Sequence, residues 1–405
     1  MAALALMTAA CSNDDNDLTT QQPQKAEGIT ITAQLAPKSS GATTRAVSDG
    51  TNKIVSEWAE NEHIAVLYTK DATPYAADAT ITAVDGSGAA TITFTVVDGT
   101  PDNTPCTLVY PLSAAKDDHT GVKDAATLLA AQDGTLSANL DVRVGAGTIQ
   151  TTTPGLTVTT QPAAQFAIFK FTVKNSDGSA TIDVKPLTIT IGSQDYVITP
   201  ASATSELFVA LPPISSQAVT FTATGSDSKT YTASKASVSF AAGKYYQSNI
   251  KLTPALNLTS PAVGQVIGDD GKNYAYSSLP TGVTAVAKIC YVNGSNGLAL
   301  ALADEGQMDW STAISTCAAH SPAFTGGTWL LASYYQWNNM ISGAGGYTAL
   351  RDGFESVGGS NLQSDGYWSS TQSSANQAYY FSFNKSDYYN GSKTYTKRVR
   401  ACLAF

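Results

Sequence analysis

The sequence predicts a mostly β protein. Two tandem β-sandwiches, 29–155 and 156–252, are followed by a linker, 253–263, and an α+β domain over 264–405. Three observations carry this expectation. Charged residues make up 14% of 405 and hydrophobic residues 43%, a balance that favours strands and turns over long solvated helices. Short runs of period two recur through the first 250 residues, separated by turn dipeptides. Finally, four of the five tryptophans (Trp310, Trp329, Trp337, Trp368) fall beyond residue 300, so the last third has a different composition.

The first run, Ile29 to Leu35, alternates apolar and polar residues and reads as a strand with one buried face. Similar runs lie at 64–68, 91–97, 108–110, 167–173, 187–191, 207–211, 219–223 and 238–240. Asp85-Gly86, Asp98-Gly99, Asp133-Gly134, Asp177-Gly178 and Pro212-Pro213 supply turns between them. Many short strands with this punctuation point to sandwiches rather than βαβ units. A weak break near Pro154-Gly155 sets the boundary between the two.

After Pro261 the pattern changes. Asp270-Gly271 sits at the turn of a hairpin spanning 264–276, and strands are expected at 285–292 and 297–302. Asp309 is a suitable N-cap for a helix whose inner face carries Trp310, Ala313, Ile314 and Cys317. Ser333 and Gln336 form a capping-box pair for a second helix, with Trp337, Met340 and Ile341 turned inward. Aromatic strands follow at 367–371 and 379–383, and Lys397 to Phe405 closes the chain as a strand. Irregular segments are expected at 342–349, 373–377 and 384–391. The last carries Tyr388, Tyr389 and Asn390, read as a loop tip that could stack on a sugar or a protein.

The net charge is 23 − 32 = −9, which gives no general attraction for phosphate backbones, so nucleic acid is not an expected partner. His63, His119 and His320 are scattered and lack evident acid partners. Neither a nucleophile elbow, a phosphate loop nor a metal-ligand spacing occurs, so neither catalysis nor a cofactor is expected. Cys106 and Cys290 lie in apolar strand contexts and read as buried thiols.

Residues 1–10, apolar and ending in Ala9-Ala10 before Cys11, resemble a bacterial lipoprotein signal. That resemblance makes Cys11 the lipidated residue and 11–28 a solvated tether. No Lys or Arg precedes the apolar run, so a start upstream of Met1 is expected. The strand at 29–35, Thr44-Arg45-Ala46, Trp58 ahead of His63-Ile64-Ala65-Val66, and the phrase Phe240 to Leu252 resemble the fimbrillin family. The resemblance implies a surface lipoprotein of a Gram-negative bacterium, anchored in the outer membrane through lipid alone or built into a fimbria. It further implies cleavage between Arg45 and Ala46, release of the first strand, and capture of a donor strand from another subunit.

Trp310-x-x-Ala313-x-x-x-Cys317, Trp329 to Ser333, Tyr367-Trp368-Ser369-Ser370 and Val399 to Cys402 resemble the bacterial C-type-lectin-like fold. By that resemblance Cys317 pairs with Cys402, as an oxidising exterior would allow, and the domain presents loops to a glycan or a host or bacterial surface protein. The motifs for calcium-dependent sugar binding are missing. The resulting expectation is a fimbrial tip adhesin. The alternatives are a stand-alone surface glycan-binding lipoprotein and a module that delivers an enzyme to polysaccharide.

Overall fold

The computed structural model describes residues 28–38, 48–50, 53–137 and 140–405. The first sheet is built from β1 (Gly28–Leu35), β4 (His63–Lys70), β5 (Thr73–Val84), β6 (Ala90–Val97), β7 (Thr104–Tyr110), β8 (Arg143–Gln150) and β9 (Gly155–Ala164). A two-strand ribbon, β2 (Ser48–Gly50) and β3 (Lys53–Val55), follows β1, and a short helix α1 (Ala125–Leu128) precedes β8. The seven strands lie in the order β1-β6-β5-β4-β7-β8-β9. The sheet curls, so its two edge strands β1 and β9 lie against each other. Ile31, Leu35, Ile64, Val66, Ile81, Ile92 and Leu108 fill its inside. β4 is buried on both faces: Ile64 and Val66 point into this core, while Ala65 and Leu67 join a second one. Alternation along the strand makes that division unavoidable.

The expected break at 155–156 falls at the tip of the β8–β9 hairpin, and β9 stays in the first sheet. The chain crosses to the second unit after Ala164. The reason is that β9 covers β8, whose residues Arg143 to Gln150 would otherwise be an open edge.

The second unit contains β10 (Ala167–Asn175), β11 (Val184–Ile191), β12 (Gln194–Ile198), β13 (Glu206–Leu211), β14 (Ile214–Gly225), β15 (Thr230–Phe240) and β16 (Tyr245–Pro254). Their order is β12-β11-β14-β15-β16-β10-β13, with β16 parallel to β10 and the other pairs antiparallel. β15 and β16 pair at Tyr231 with Pro254 and Thr232 with Thr253 and then part. The gap is an apolar hollow of about 380 Å³ over Phe169, Phe171, Phe221 and Phe240. Leu129, Leu140 and Val142, from the connection between β7 and β8, pack into this second core. The two β units therefore share apolar packing.

The third unit has two sheets. One is ordered β18-β17-β19-β20-β27-β22, from β17 (Val266–Gly268), β18 (Asn273–Tyr274), β19 (Ala285–Asn293), β20 (Asn296–Ala301), β22 (Thr328–Leu331) and β27 (Ala401–Ala404). The other is ordered β21-β26-β23-β24-β25, from β21 (Gly306–Met308), β23 (Gly366–Gln372), β24 (Gln377–Ser382), β25 (Asp387–Ser392) and β26 (Lys397–Val399). Three helices complete it: α2 (Trp310–Ala318), α3 (Tyr334–Gly343) and α4 (Tyr347–Arg351). The Asp309 carboxylate accepts from the Ser311 and Thr312 amides, and Ser333 with Gln336 forms the capping box, as expected. Ile314 departs from expectation. It is 37% exposed, while Ala313 and Cys317 carry the inner face. Part of the segment 342–349, expected to be irregular, belongs to helix α4, which starts at Tyr347.

Arg400 is fully buried beneath this unit. Its guanidinium lies 2.6 Å from Asp304 and donates to the carbonyls of Ala301 and Ser360, and the Tyr367 hydroxyl donates to the same carboxylate. A buried charge needs that degree of satisfaction.

The pairing of Cys317 with Cys402 is corrected by the structure: both are free, buried thiols, as are Cys106 and Cys290. Alternation along β27 is the reason. Ala401 and Leu403 face the cluster that holds Cys317, whereas Cys402 faces the opposite cluster, 4.0 Å from the Met340 sulfur on α3. What holds the last strand is backbone pairing to β20 and β22 on its two sides. Cys402→Ala should therefore lower stability by about 1–2 kcal/mol through lost packing alone. Urea unfolding with and without dithiothreitol checks this; a loss of stability on reduction would contradict it.

Candidate functional site

β1 is the edge strand of the first sheet. Its ladder runs from Gly28 opposite Val97 to Leu35 opposite Ala90, all against β6. Among the described residues no strand bonds its other side. Thr30 and Thr32 point outward, opposite Thr95 and Thr93. Ile31 and Leu35 point inward and are fully buried. Burying two such side chains contributes roughly 3–6 kcal/mol before the ladder is counted. β1 thus supplies core to the sheet while gripping it on one side.

The chain just beyond β1 is pinned as well. The Ala36 amide donates to Gln161 Oε1 of β9 at 3.1 Å, and the Trp58 indole N–H donates to the Ala36 carbonyl at 2.9 Å. Two residues on, Lys38 is only 3% exposed. Its ammonium lies 3.6 Å from the centre of the Tyr110 ring and 4.2 Å from that of Trp58. These two rings meet edge to face at 5.3 Å. The same nitrogen is 3.7 Å from Glu62 and 3.6 Å from Asp141. Each acid has further partners. Tyr110 donates its hydroxyl to Glu62 at 2.7 Å, and Glu62 accepts from the Ala59 amide at 3.0 Å. Asp141 accepts from the Ser56 hydroxyl and lies 2.9 Å from the Arg143 Nε. The four charges sum to zero inside a wall of aromatic rings.

Burial dominates the proton affinity of Lys38. It lowers the ammonium to about 8, against the opposing pull of Asp141 and Glu62. Burial, together with the hydrogen bond to Glu62, raises the Tyr110 hydroxyl well above its usual value.

A second feature lies on the third unit. Tyr334 of α3 meets Tyr388 of β25 edge to face at 4.6 Å, and Tyr379 and Tyr335 lie at 5.5 and 5.4 Å. Tyr335 is 75% exposed and Tyr388 is 42% exposed. A hydrogen bond with Tyr334 raises the Tyr388 hydroxyl. β25 is the edge of its sheet. On the opposite face of β24 and β25, Tyr389 stacks on Tyr380 at 5.9 Å, and the Lys397 ammonium sits 4.2 Å over Tyr380.

The sequence-expected residues divide accordingly. Tyr388, Tyr389 and Asn390 are exposed, but they belong to strand β25 rather than a loop tip, so Tyr388 and Tyr389 face opposite sides of the sheet. Cross-strand pairing with β24 imposes this, because Phe381 lies opposite Tyr388 and Tyr380 opposite Tyr389. Cys11, Arg45 and Ala46 lie outside the described residues. His63 and His320, read as lacking acid partners, each have one: Asp78 at 2.7 Å and Glu305 at 2.6 Å. Among the described residues no group of three or more His, Cys, Asp or Glu is placed to hold a metal ion, and no helix is long and apolar enough to cross a membrane. Lys38, Glu62 and Asp141 escaped the sequence reading. Their spacing follows no local period, and only the tertiary fold brings them together around Trp58 and Tyr110.

No family model matches the chain, and comparison with curated proteins finds no match. Among solved structures, a fimbrial protein from Bacteroides ovatus aligns at 12% identity over 94% of this chain and 100% of its own, with a TM-score of 0.32. A fimbrial assembly protein from Parabacteroides distasonis aligns at 11% identity over 56% of this chain and 96% of its own, with a TM-score of 0.33. At TM-scores of this size the description of the fold rests on this chain's own sheets.

Lys38 gives the first unit a distinctive pH dependence. Below pH 8 both folded and unfolded chains hold its proton. Between pH 8 and the unfolded value of 10.5 only the unfolded chain does. Stability therefore rises with pH in that window, until the unfolded tyrosines begin to ionise near pH 10 and reverse the trend. Urea unfolding should show a gain of about 2 kcal/mol from pH 8 to 10, absent from Lys38→Met. A flat profile in the unsubstituted protein would contradict it.

Proposed function

We propose that the chain is a non-enzymatic cell-surface subunit that joins a fimbria by exchanging β1 for a strand of another subunit, and that its third unit is a C-type-lectin-like adhesive domain. The observation that carries the first part is the one-sided attachment of a core-filling strand. Removing β1 would leave the outer edge of β6 unpaired above an apolar groove, and unpaired backbone beside a core demands a new strand. Cleavage between Arg45 and Ala46 would cut the covalent tie to the rest of the chain and leave β1 held by contacts alone. β27, bonded on both sides, is not a strand that can be handed on, which suits a subunit at the end of a fibre. Lipidation at Cys11 would keep uncut chains in the outer membrane.

The second part rests on the tyrosine face. Tyr335 and Tyr388 present flat rings with hydroxyl donors at their rims, a chemistry suited to sugar faces or to protein. A subunit that binds glycan through this face without entering a fibre is the alternative, and the tight hold on Lys38 favours it.

N-terminal sequencing of the protein taken from cell surfaces separates the two. Chains beginning at Ala46 and recovered with fibres are expected; chains that begin only at an acylated Cys11, never found with fibres, would sink the exchange reading. For the face, Tyr335→Ala and Tyr388→Ala should each weaken retention on a mucin or plant polysaccharide about 3- to 10-fold. Equal retention by both variants and the unsubstituted chain would remove the tyrosines from the binding surface.

A further inference from the structure

We infer that the cage around Lys38 is a specificity site that reads the strand replacing β1 and accepts a lysine. The inference rests on the exchange reading above and names the chemistry of the partner strand. When β1 and the chain as far as Lys38 leave, the cage loses its one ammonium and keeps Glu62, Asp141 and Arg143. Its formal charge goes from zero to −1 in a site walled by Trp58 and Tyr110. A buried unbalanced carboxylate is unfavourable, and two ring faces beside it attract a cation. The walls stand close to the nitrogen, at 3.6 and 4.2 Å from the ring centres. That spacing fits a compact ammonium better than a broad guanidinium.

The register of the incoming strand is set by groups that stay behind. Trp58 N–H and Gln161 Oε1 are left to bond the carbonyl and amide of the residue taking the place of Ala36. The edge of β6 from Ala90 to Val97 bonds the strand before it. Inward positions are those of Ile31, Ala33 and Leu35, and the cage lies three residues after the last of them. The partner strand is therefore one with apolar residues at three alternating positions, the middle one small, and a lysine seven residues after the first. An acidic residue there is rejected, because it would add a third carboxylate to the cage.

The test uses the full chain, cut after Arg45 by an Arg-specific protease. Three fluorescent peptides compete for it: the 28–38 sequence itself, the same with norleucine in place of Lys38, and the same with acetyl-lysine there. The lysine peptide should be held at least about tenfold more tightly than either other peptide. Glu62→Gln in the cut chain should shrink that ratio. Equal retention of all three peptides would overturn the lysine cage while leaving exchange intact. Failure of every peptide to enter would overturn exchange itself, and the cage inference with it. All three peptides meet the same unsubstituted protein, so the comparison does not depend on any variant folding.

Discussion

The outer edge of β6 carries amides and carbonyls beside an apolar core, and in this structure β1 is what pairs them. Much of the first unit can be understood from that need. Backbone groups in such a place cannot be left open without cost. The sheet meets the need with a strand bonded on one side, then curls so that β9 comes up against the other. The strand's inward residues complete the core, so edge pairing and core packing depend on one segment.

A strand held this way could fray, and the structure pins its far end with unlike interactions. Two hydrogen bonds hold the main chain at Ala36, and a buried ammonium follows two residues later. Taking Lys38 away would leave Glu62 and Asp141 with Arg143 as their one remaining counter-charge, which opposes its departure. Burial disfavours the ammonium and its partners favour it, and burial wins, as the lowered proton affinity shows. The site thus gives up some stability at neutral pH and keeps a charge pattern that only a cation can complete.

The third unit follows different physics. Its final strand lies inside a sheet, bonded to β20 and β22, and its buried Arg400 ties Asp304 to the carbonyls of Ala301 and Ser360. That closing strand differs from β1 in being held on both sides. Its aromatic residues grade from core to surface: Trp337, Trp368 and Phe381 are fully buried, while Tyr388, paired across the strands with Phe381, and Tyr335 are exposed.

The local patterns of the sequence determined most strands, the two capped helices and the change of architecture near residue 255. Those features are written in neighbouring residues: alternation, turn dipeptides, Asp309 and Ser333 as caps. Among the strands it hid, β5, β8 and β9 are rich in Ala, Thr and Gly, whose small contrast in hydrophobicity blurs a period of two. Only the tertiary structure decided that β9 belongs to the first sheet, that Cys402 faces away from Cys317, and that Tyr388 and Tyr389 face opposite sides. Each depends on which strand lies beside which, and a shift of one residue in register reverses the outcome. The gathering of Lys38, Trp58, Glu62, Tyr110 and Asp141 depends on the same thing: five residues spread over more than a hundred positions meet because the sheet curls, and no local period records a curl.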